Sequence, residues 1–192
     1  MNKLAFKNCL LIVTGSIAAY KTPDIVRRMR DEGAEVRVVL TSAASEFVTP
    51  LVLQAVSGNE VRQDLFDQKA EAGMGHIELA RWADAIVIAP ASADYIAKLS
   101  KGAADDLSTA ICRASEAPIL IAPAMNLQMW ENSFTKEALD SLMKKGVCVC
   151  GPDSGSQACG EVGLGRLVEA EVLLESIANL FNAGSMAQIR VM

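Results

Sequence analysis

Four short apolar runs rich in β-branched residues restrict this chain to few architectures. They are Cys9–Thr14, Val36–Thr41, Ala85–Ala89 and Ile119–Ala122, with a weaker fifth at Val147–Cys150. Most are continuously apolar, the mark of strands buried on both faces. Helical patterns lie between them. Ile25, Val26 and Met29 form an apolar stripe, Arg27, Arg28, Arg30 and Asp31 its solvated side, and Gly33 stops it. Further helices are predicted over Ala91–Leu99, Leu107–Arg113, Thr135–Lys144 and Glu169–Leu180. Strands alternating with helices imply right-handed crossovers and a mostly parallel sheet. The expected fold class is α/β: a three-layer α/β/α domain, Rossmann- or flavodoxin-like. Its ligand site is expected outside the carboxyl ends of the strands.

At 192 residues, 51% hydrophobic and 21% charged, the chain suits one domain with a real core. No Pro- or Gly-rich linker divides it, so residues 1–182 read as one unit and 183–192 as a tail or linker stub. The net charge of -5, from 18 basic and 23 acidic residues, argues against a nucleic-acid partner. No apolar run reaches the roughly 18 residues of a membrane helix, so no membrane partner is expected. Lys3 and Lys7 precede an apolar run that stops at Thr14-Gly15-Ser16, short of a secretory signal. A buried first strand and a cytoplasmic protein are the expectation. The five cysteines, Cys9, Cys112, Cys148, Cys150 and Cys159, are odd in number and lack Cys-x-x-Cys spacing. That argues against a disulfide framework or a structural zinc site. The single histidine, His76, rules out a site needing two within one chain. No metal is expected.

Four segments are candidates for chemistry. Thr14-Gly15-Ser16-Ile17-Ala18-Ala19-Tyr20-Lys21 follows the first strand, where a backbone turn can present N–H groups to a phosphate. It is neither G-x-G-x-x-G nor a Walker loop, which favours a mononucleotide. Thr41-Ser42 and Ser92, at other strand ends, are candidates for the same site, while Thr22-Pro23 is itself a good helix start. His76, in Met74-Gly75-His76-Ile77-Glu78-Leu79-Ala80-Arg81-Trp82, is by itself more often a surface or satisfied core residue. Asn126, in Ala122-Pro123-Ala124-Met125-Asn126, either donates from its amide to a carboxylate or carbonyl or caps a helix. Residues 151–166 form a long glycine-rich stretch without secondary-structure signal, the pattern of a lid. Cys159 within it is an odd choice for packing and a candidate reactive thiol. The other four cysteines read as structural.

Together these segments resemble the homo-oligomeric flavin-containing cysteine decarboxylase family, from about Cys9 to Leu180. Gly15-Ser16-Ile17-Ala18-Ala19-Tyr20-Lys21 resembles the family's FMN-phosphate turn. His76 falls in its G-H-I-x-L-x-x-W-A-D context, Asn126 in P-A-M-N, and Cys159 in the A-C-G-E-x-G-x-G-R substrate clamp. The resemblance implies FMN as cofactor, with His76, Asn126 and Cys159 catalytic. It implies Gly15, Ser16, Ile17, Thr41, Ser42, Ser92, Asp94 and Ser108 at the flavin. Asn126, Ala158, Gly160 and Arg166 are implied at the substrate. The clamp pattern points to phosphopantothenoylcysteine, and so to coenzyme A biosynthesis. At Ala103-Ala104-Asp105-Asp106-Leu107 the chain departs from the family, where many bacterial members carry Asn at the first Asp.

The implied chemistry makes sense of these residues. Loss of CO2 from a cysteine-like carboxylate leaves an unstabilised carbanion. Oxidation of the thiol by FMN to a thioaldehyde provides a C=S to accept the electron pair. The ene-thiol that results is then re-reduced, with no net redox change. Asn126 is implied to hold the carboxylate, His76 to act as base or by positioning, and Cys159 to supply a proton from a closing lid. The resemblance further implies trimers, in larger enzymes four together, with sites between subunits. It also implies a synthetase domain or partner, absent between residues 1 and 192. Competing readings are a flavin prenyltransferase, a peptidyl-cysteine decarboxylase and a non-catalytic regulatory flavoprotein. The first has no need of Cys159 or the His76 motif, the second has a different clamp, and the third can lose catalytic residues.

Overall fold

The computed structural model describes residues 2–66 and 75–189, with side chains to residue 182. Met74 of the histidine segment and tail residues 190–192 lie outside them. Five parallel strands, β1 (Asn8–Val13), β2 (Glu35–Leu40), β3 (Ala85–Ala91), β4 (Ile119–Pro123) and β5 (Cys148–Val149), form the central sheet. Their spatial order is β2-β1-β3-β4-β5. This is the flavodoxin-like order, with the topological switch between β1 and β3. The expected α/β class and parallel sheet are therefore observed, with strand bounds within two residues of those predicted.

The continuous apolar runs have a direct cause. Along β1, Leu11 and Val13 enter one core layer while Leu10 and Ile12 enter the other, all fully buried. Alternate side chains of a strand point to opposite faces, and both faces are covered. The first layer includes Ile25, Val26 and Met29 of α1 (Thr22–Asp31) and Leu173, Leu174 and Ile177 of α8 (Ala170–Ile189). The second takes residues from α3 (Gly75–Trp82), α4 (Ala93–Ser100), α5 (Leu107–Ala114) and α7 (Ser133–Lys144). A short α2 (Pro50–Ser57) follows β2, and α6 (Leu127–Glu131) follows β4. No helix of the described residues is long and apolar enough to cross a membrane.

The structure corrects several details. Residues 151–166 are not structureless: β6 (Asp153–Ser156) and β7 (Val162–Arg166) pair as an antiparallel hairpin. Their serines and glycines gave no apolar alternation to read. Thr22 starts α1 as expected, but its hydroxyl donates to the Ala19 carbonyl instead of capping the helix, because a 3-10 turn, Ile17–Lys21, runs directly into it. Helix α8 continues past Asn182 to Ile189. Cys148 is exposed, because β5 is an edge strand. Cys9, Cys112 and Cys150 are buried as expected, and burial pushes the Cys9 and Cys112 thiols up to about 12. Those two stay protonated and inert.

Asp105-Asp106 is explained by the start of α5. The Asp106 carboxylate accepts from the Thr109 N–H at 2.8 Å, while the Thr109 hydroxyl accepts from the Asp106 N–H at 3.3 Å, a reciprocal cap. Ser108 Oγ donates to the same carboxylate at 2.7 Å. Burial resists ionisation of Asp106, but the Ser108 and Thr109 hydrogen bonds outweigh it and hold the carboxyl below its ordinary value. A depressed carboxyl stabilises the fold above its unfolded pKa and loses that contribution as pH falls through the folded value. Asp106→Ala is therefore expected to cost about 1–2 kcal/mol at neutral pH. In urea unfolding across pH, the gap to wild type should close below about pH 3.9, the ordinary carboxyl value. A pH-independent gap would contradict this assignment.

Candidate functional site

A cleft of about 530 Å³ opens at the carboxyl end of the sheet, within the usual range for a small-ligand pocket. Four walls build it: the turn after β1, the turn after β3, the segment after β4 and the hairpin. Thr14, almost fully buried, ties the first two. Its hydroxyl donates to the Pro90 carbonyl at 2.6 Å and accepts from the Ser92 N–H at 2.9 Å. Gly15 is required because a Cβ there would stand 2.6 Å from the Ala43 Cβ. Ser16 Oγ accepts from the Ala18 N–H, and the N–H groups of Gly15 and Ile17 make no hydrogen bond among the described residues. The turn thus presents backbone donors to the cleft, the chemistry of an anion cradle.

Of the two readings open in the sequence, the structure shows the helix cap, and it also places Asn126 at the cleft. It caps α6, its Oδ1 accepting from the Met129 N–H at 2.8 Å, and it lines the cleft. With Oδ1 engaged, the group it has to offer a ligand is the NH2, a donor suited to a carboxylate.

The hairpin docks on this same segment. The Met125 N–H donates to the Gly165 carbonyl at 2.9 Å. Gln157 Oε1 accepts from the Leu127 N–H and Gln157 Nε2 donates to the Leu164 carbonyl, each at 3.0 Å. A Cβ on Gly163 would press into the Leu127 side chain at 2.9 Å, and one on Gly165 would strike the Met125 carbonyl oxygen. Glycines that looked like loop signals thus make room for packing: Gly165 lets the hairpin approach the Met125 backbone, and Gly163 admits the Leu127 side chain. Cys159 is exposed in the hairpin tip and lines the cleft, its Sγ 3.6 Å from Glu161 Oε2 and 3.8 Å from Gln157 Oε1.

The structure therefore brings together Gly15, Ser16, Ile17, Ser92, Asn126, Ala158, Cys159 and Arg166. The other candidates lie outside the cleft lining. Thr41 accepts from the Ala44 N–H, closing a turn behind Gly15, and Ser42 is exposed beside it. Asp94 pairs with Lys98 at 3.9 Å, and Ser108 belongs to the α5 cap. Gly160 sits in the tip with φ +87° and no neighbour around its Cβ position. His76, at the start of α3, lines a second cavity with Leu65, Phe66, Ala104, Ala110, Arg113 and Ala114, and shares no lining residue with the cleft. Its Nδ1 is buried without a hydrogen-bond partner among the described residues.

The sequence reading did not single out Gln157, the strut of the hairpin, or assign Lys21 a role, though both line the cleft. An amide flanking a reactive-looking cysteine was the available signal for Gln157. Gln157→Ala is expected to raise amide hydrogen exchange about ten-fold or more across β6, β7 and Leu127, leaving the central sheet unchanged. Unaltered protection of the hairpin would show that the strut does not hold it.

A family model described as Flavoprotein matches residues 2–182. A coenzyme A biosynthesis bifunctional protein CoaBC from Haemophilus influenzae is 55% identical over 180 residues, covering 94% of this chain and 45% of that protein. The chain spans about half the length of the curated relatives it matches. Among solved structures, a cysteine-to-serine mutant of PPC decarboxylase complexed with pantothenoylaminoethenethiol is 34% identical with TM-score 0.82. That match covers 92% of this chain and 98% of the other. A structure described as the FMN binding protein AtHal3 is 34% identical with TM-score 0.79, covering 92% and 97%.

Proposed function

The chain belongs to the Flavoprotein family, and on that premise we propose that it decarboxylates phosphopantothenoylcysteine to 4'-phosphopantetheine in coenzyme A biosynthesis, with FMN as cofactor. The reading rests on the CoaBC relative and on the PPC decarboxylase likeness. The observation that carries it is the convergence of the phosphate-type turn, Asn126 and Cys159 on one cleft.

The cleft fits the cofactor. The Gly15 and Ile17 N–H groups, unpaired among the described residues, suit a phosphate with Ser16 beside them, and Ser92 and the apolar wall lie next to them. Gly15, Ser16, Ile17 and Ser92 hold FMN on this reading, while Thr41, Ser42, Asp94 and Ser108 support the surrounding turns. When bound, FMN supplies the two-electron oxidation of the substrate thiol and returns the electrons after CO2 is lost. The Asn126 amide donates to the substrate carboxylate and fixes its orientation. The hairpin, latched through Gln157, covers the reacting end and excludes water. The Cys159 thiol delivers the proton that completes reduction of the ene-thiol, with Glu161 placed to face it.

His76 serves the same reaction from another copy of the chain. Its separate cavity and the exposed apolar side chains at both rims support a homo-oligomer, a trimer or an assembly of trimers. Phe66 is beside His76, and Ile17 and Tyr20 border the cleft. The length of the curated relatives supports a synthetase domain or partner for the other step of a bifunctional protein. A cytoplasmic location follows from the proposed pathway.

The test is turnover followed by mass spectrometry on FMN-loaded protein. Wild type should yield product lighter by one CO2. Cys159→Ser should start the reaction and accumulate the oxidised, decarboxylated intermediate. His76→Asn should stay yellow and lose decarboxylation by at least about a hundred-fold, the scale of general acid–base help. Full turnover by Cys159→Ser would remove the thiol from the mechanism, and flavin without turnover by wild type would favour the prenyltransferase or regulatory alternatives.

A further inference from the structure

Lys21 and Arg166 reach the cleft from different walls, the first from the end of the 3-10 turn after β1 and the second from the base of the hairpin. One carboxylate oxygen, Glu169 Oε1, stands between them, 3.3 Å from Lys21 Nζ and 3.4 Å from Arg166 Nη2. Two cations gathered on one carboxylate leave a net positive charge facing the cleft. Like charges held close repel, so the pair is best satisfied by a further anion. Glu169 is no obstacle: its side chain is 55% exposed, and ion pairs at such exposure are weak and readily rearranged.

The hairpin fixes where this charge lies relative to the thiol. Arg166 pairs with Asp153 at the base, while Cys159 sits in the tip. The strand Val162–Arg166 spans about 13 Å at roughly 3.3 Å per residue. The Arg166 side chain turns back over Gly155, so both Arg166 and Cys159 face the cleft from the hairpin without sharing a position on it. A ligand that uses both carries its reacting group and its anion on different parts of the molecule.

We infer that Lys21 and Arg166 form a phosphate-monoester subsite in the cleft. The inference rests on the proposed substrate, whose thiol and phosphate lie at opposite ends of an extended arm. A phosphate monoester carries about -1.5 to -2 charges at neutral pH, matching two cations once Glu169 swings aside. FMN also bears a phosphate monoester, but the Gly15–Ile17 backbone turn already provides for it. The two cations are therefore assigned to the substrate.

Calorimetric binding of 4'-phosphopantetheine and of pantetheine to FMN-loaded protein isolates the phosphate. Wild type should prefer the phosphorylated compound by at least about ten-fold, the worth of one charge-assisted contact. Lys21→Ala and Arg166→Ala should each erase most of that preference. Glu169→Gln, which removes the competing charge and keeps the shape, should increase it. A preference unchanged in both alanine variants would overturn the inference. So would a loss of FMN affinity with the preference intact, which would assign the cations to the cofactor's phosphate. Failure of wild type to bind either compound would instead sink the substrate reading, and the subsite with it.

Discussion

The site depends on a buried hydroxyl. Thr14 stands at the last position before the first turn leaves the sheet, and its two hydrogen bonds join the ends of β1 and β3. These strands are the topological switch of the sheet, where crossovers depart in opposite directions and leave a crevice. By holding the Pro90 carbonyl and the Ser92 N–H, Thr14 sets the phosphate-type turn and the Ser92 turn side by side. Without it, the Pro90 carbonyl would be left buried and unpaired, which costs about 1–3 kcal/mol.

Against this fixed edge the hairpin is a separate, lighter element. It is held to the body largely through backbone contacts to Met125 and Leu127 and through the Gln157 amide. Its residues are mostly exposed. A cover attached by a few hydrogen bonds, and not by core burial, is free to part from the segment it covers. That division suits a reaction whose cofactor stays while substrate enters and product leaves. It also explains how one segment, Met125-Asn126-Leu127, both anchors the hairpin and presents the carboxylate-binding amide.

The parallel sheet was legible because both of its faces are buried, which leaves a nearly continuous apolar signature in β1, β3 and β4. The hairpin was not, because Ser154, Gly155, Gly163 and Gly165 carry no apolar pattern, and the three glycines answer to the close approach of Arg166, Leu127 and Met125. Cys148 lies in the strand its pattern predicts but is exposed, because an edge strand has the composition of a central one without its coverage. At the site, Gly15, Ser16, Ser92, Asn126 and Cys159 were legible from position and from family motifs. Thr41, Ser42, Asp94 and Ser108, flavin contacts by family resemblance, lie outside the cleft lining, Thr41 in a turn, Asp94 in an ion pair and Ser108 in a helix cap. Lys21 and Glu169 became meaningful only when the fold brought the first turn against the residues after β7.

On the proposed reading, His76 and Cys159 serve one reaction although they line different cavities of one chain. Mixing separately inactive His76→Asn and Cys159→Ser chains, dissociated and reassembled with FMN, tests this most directly. Each mixed oligomer should contain some sites with both native residues, and phosphopantothenoylcysteine decarboxylation should return to a substantial fraction of wild type. A mixture that reassembles, binds flavin and remains as inactive as its components would contradict a site shared between copies.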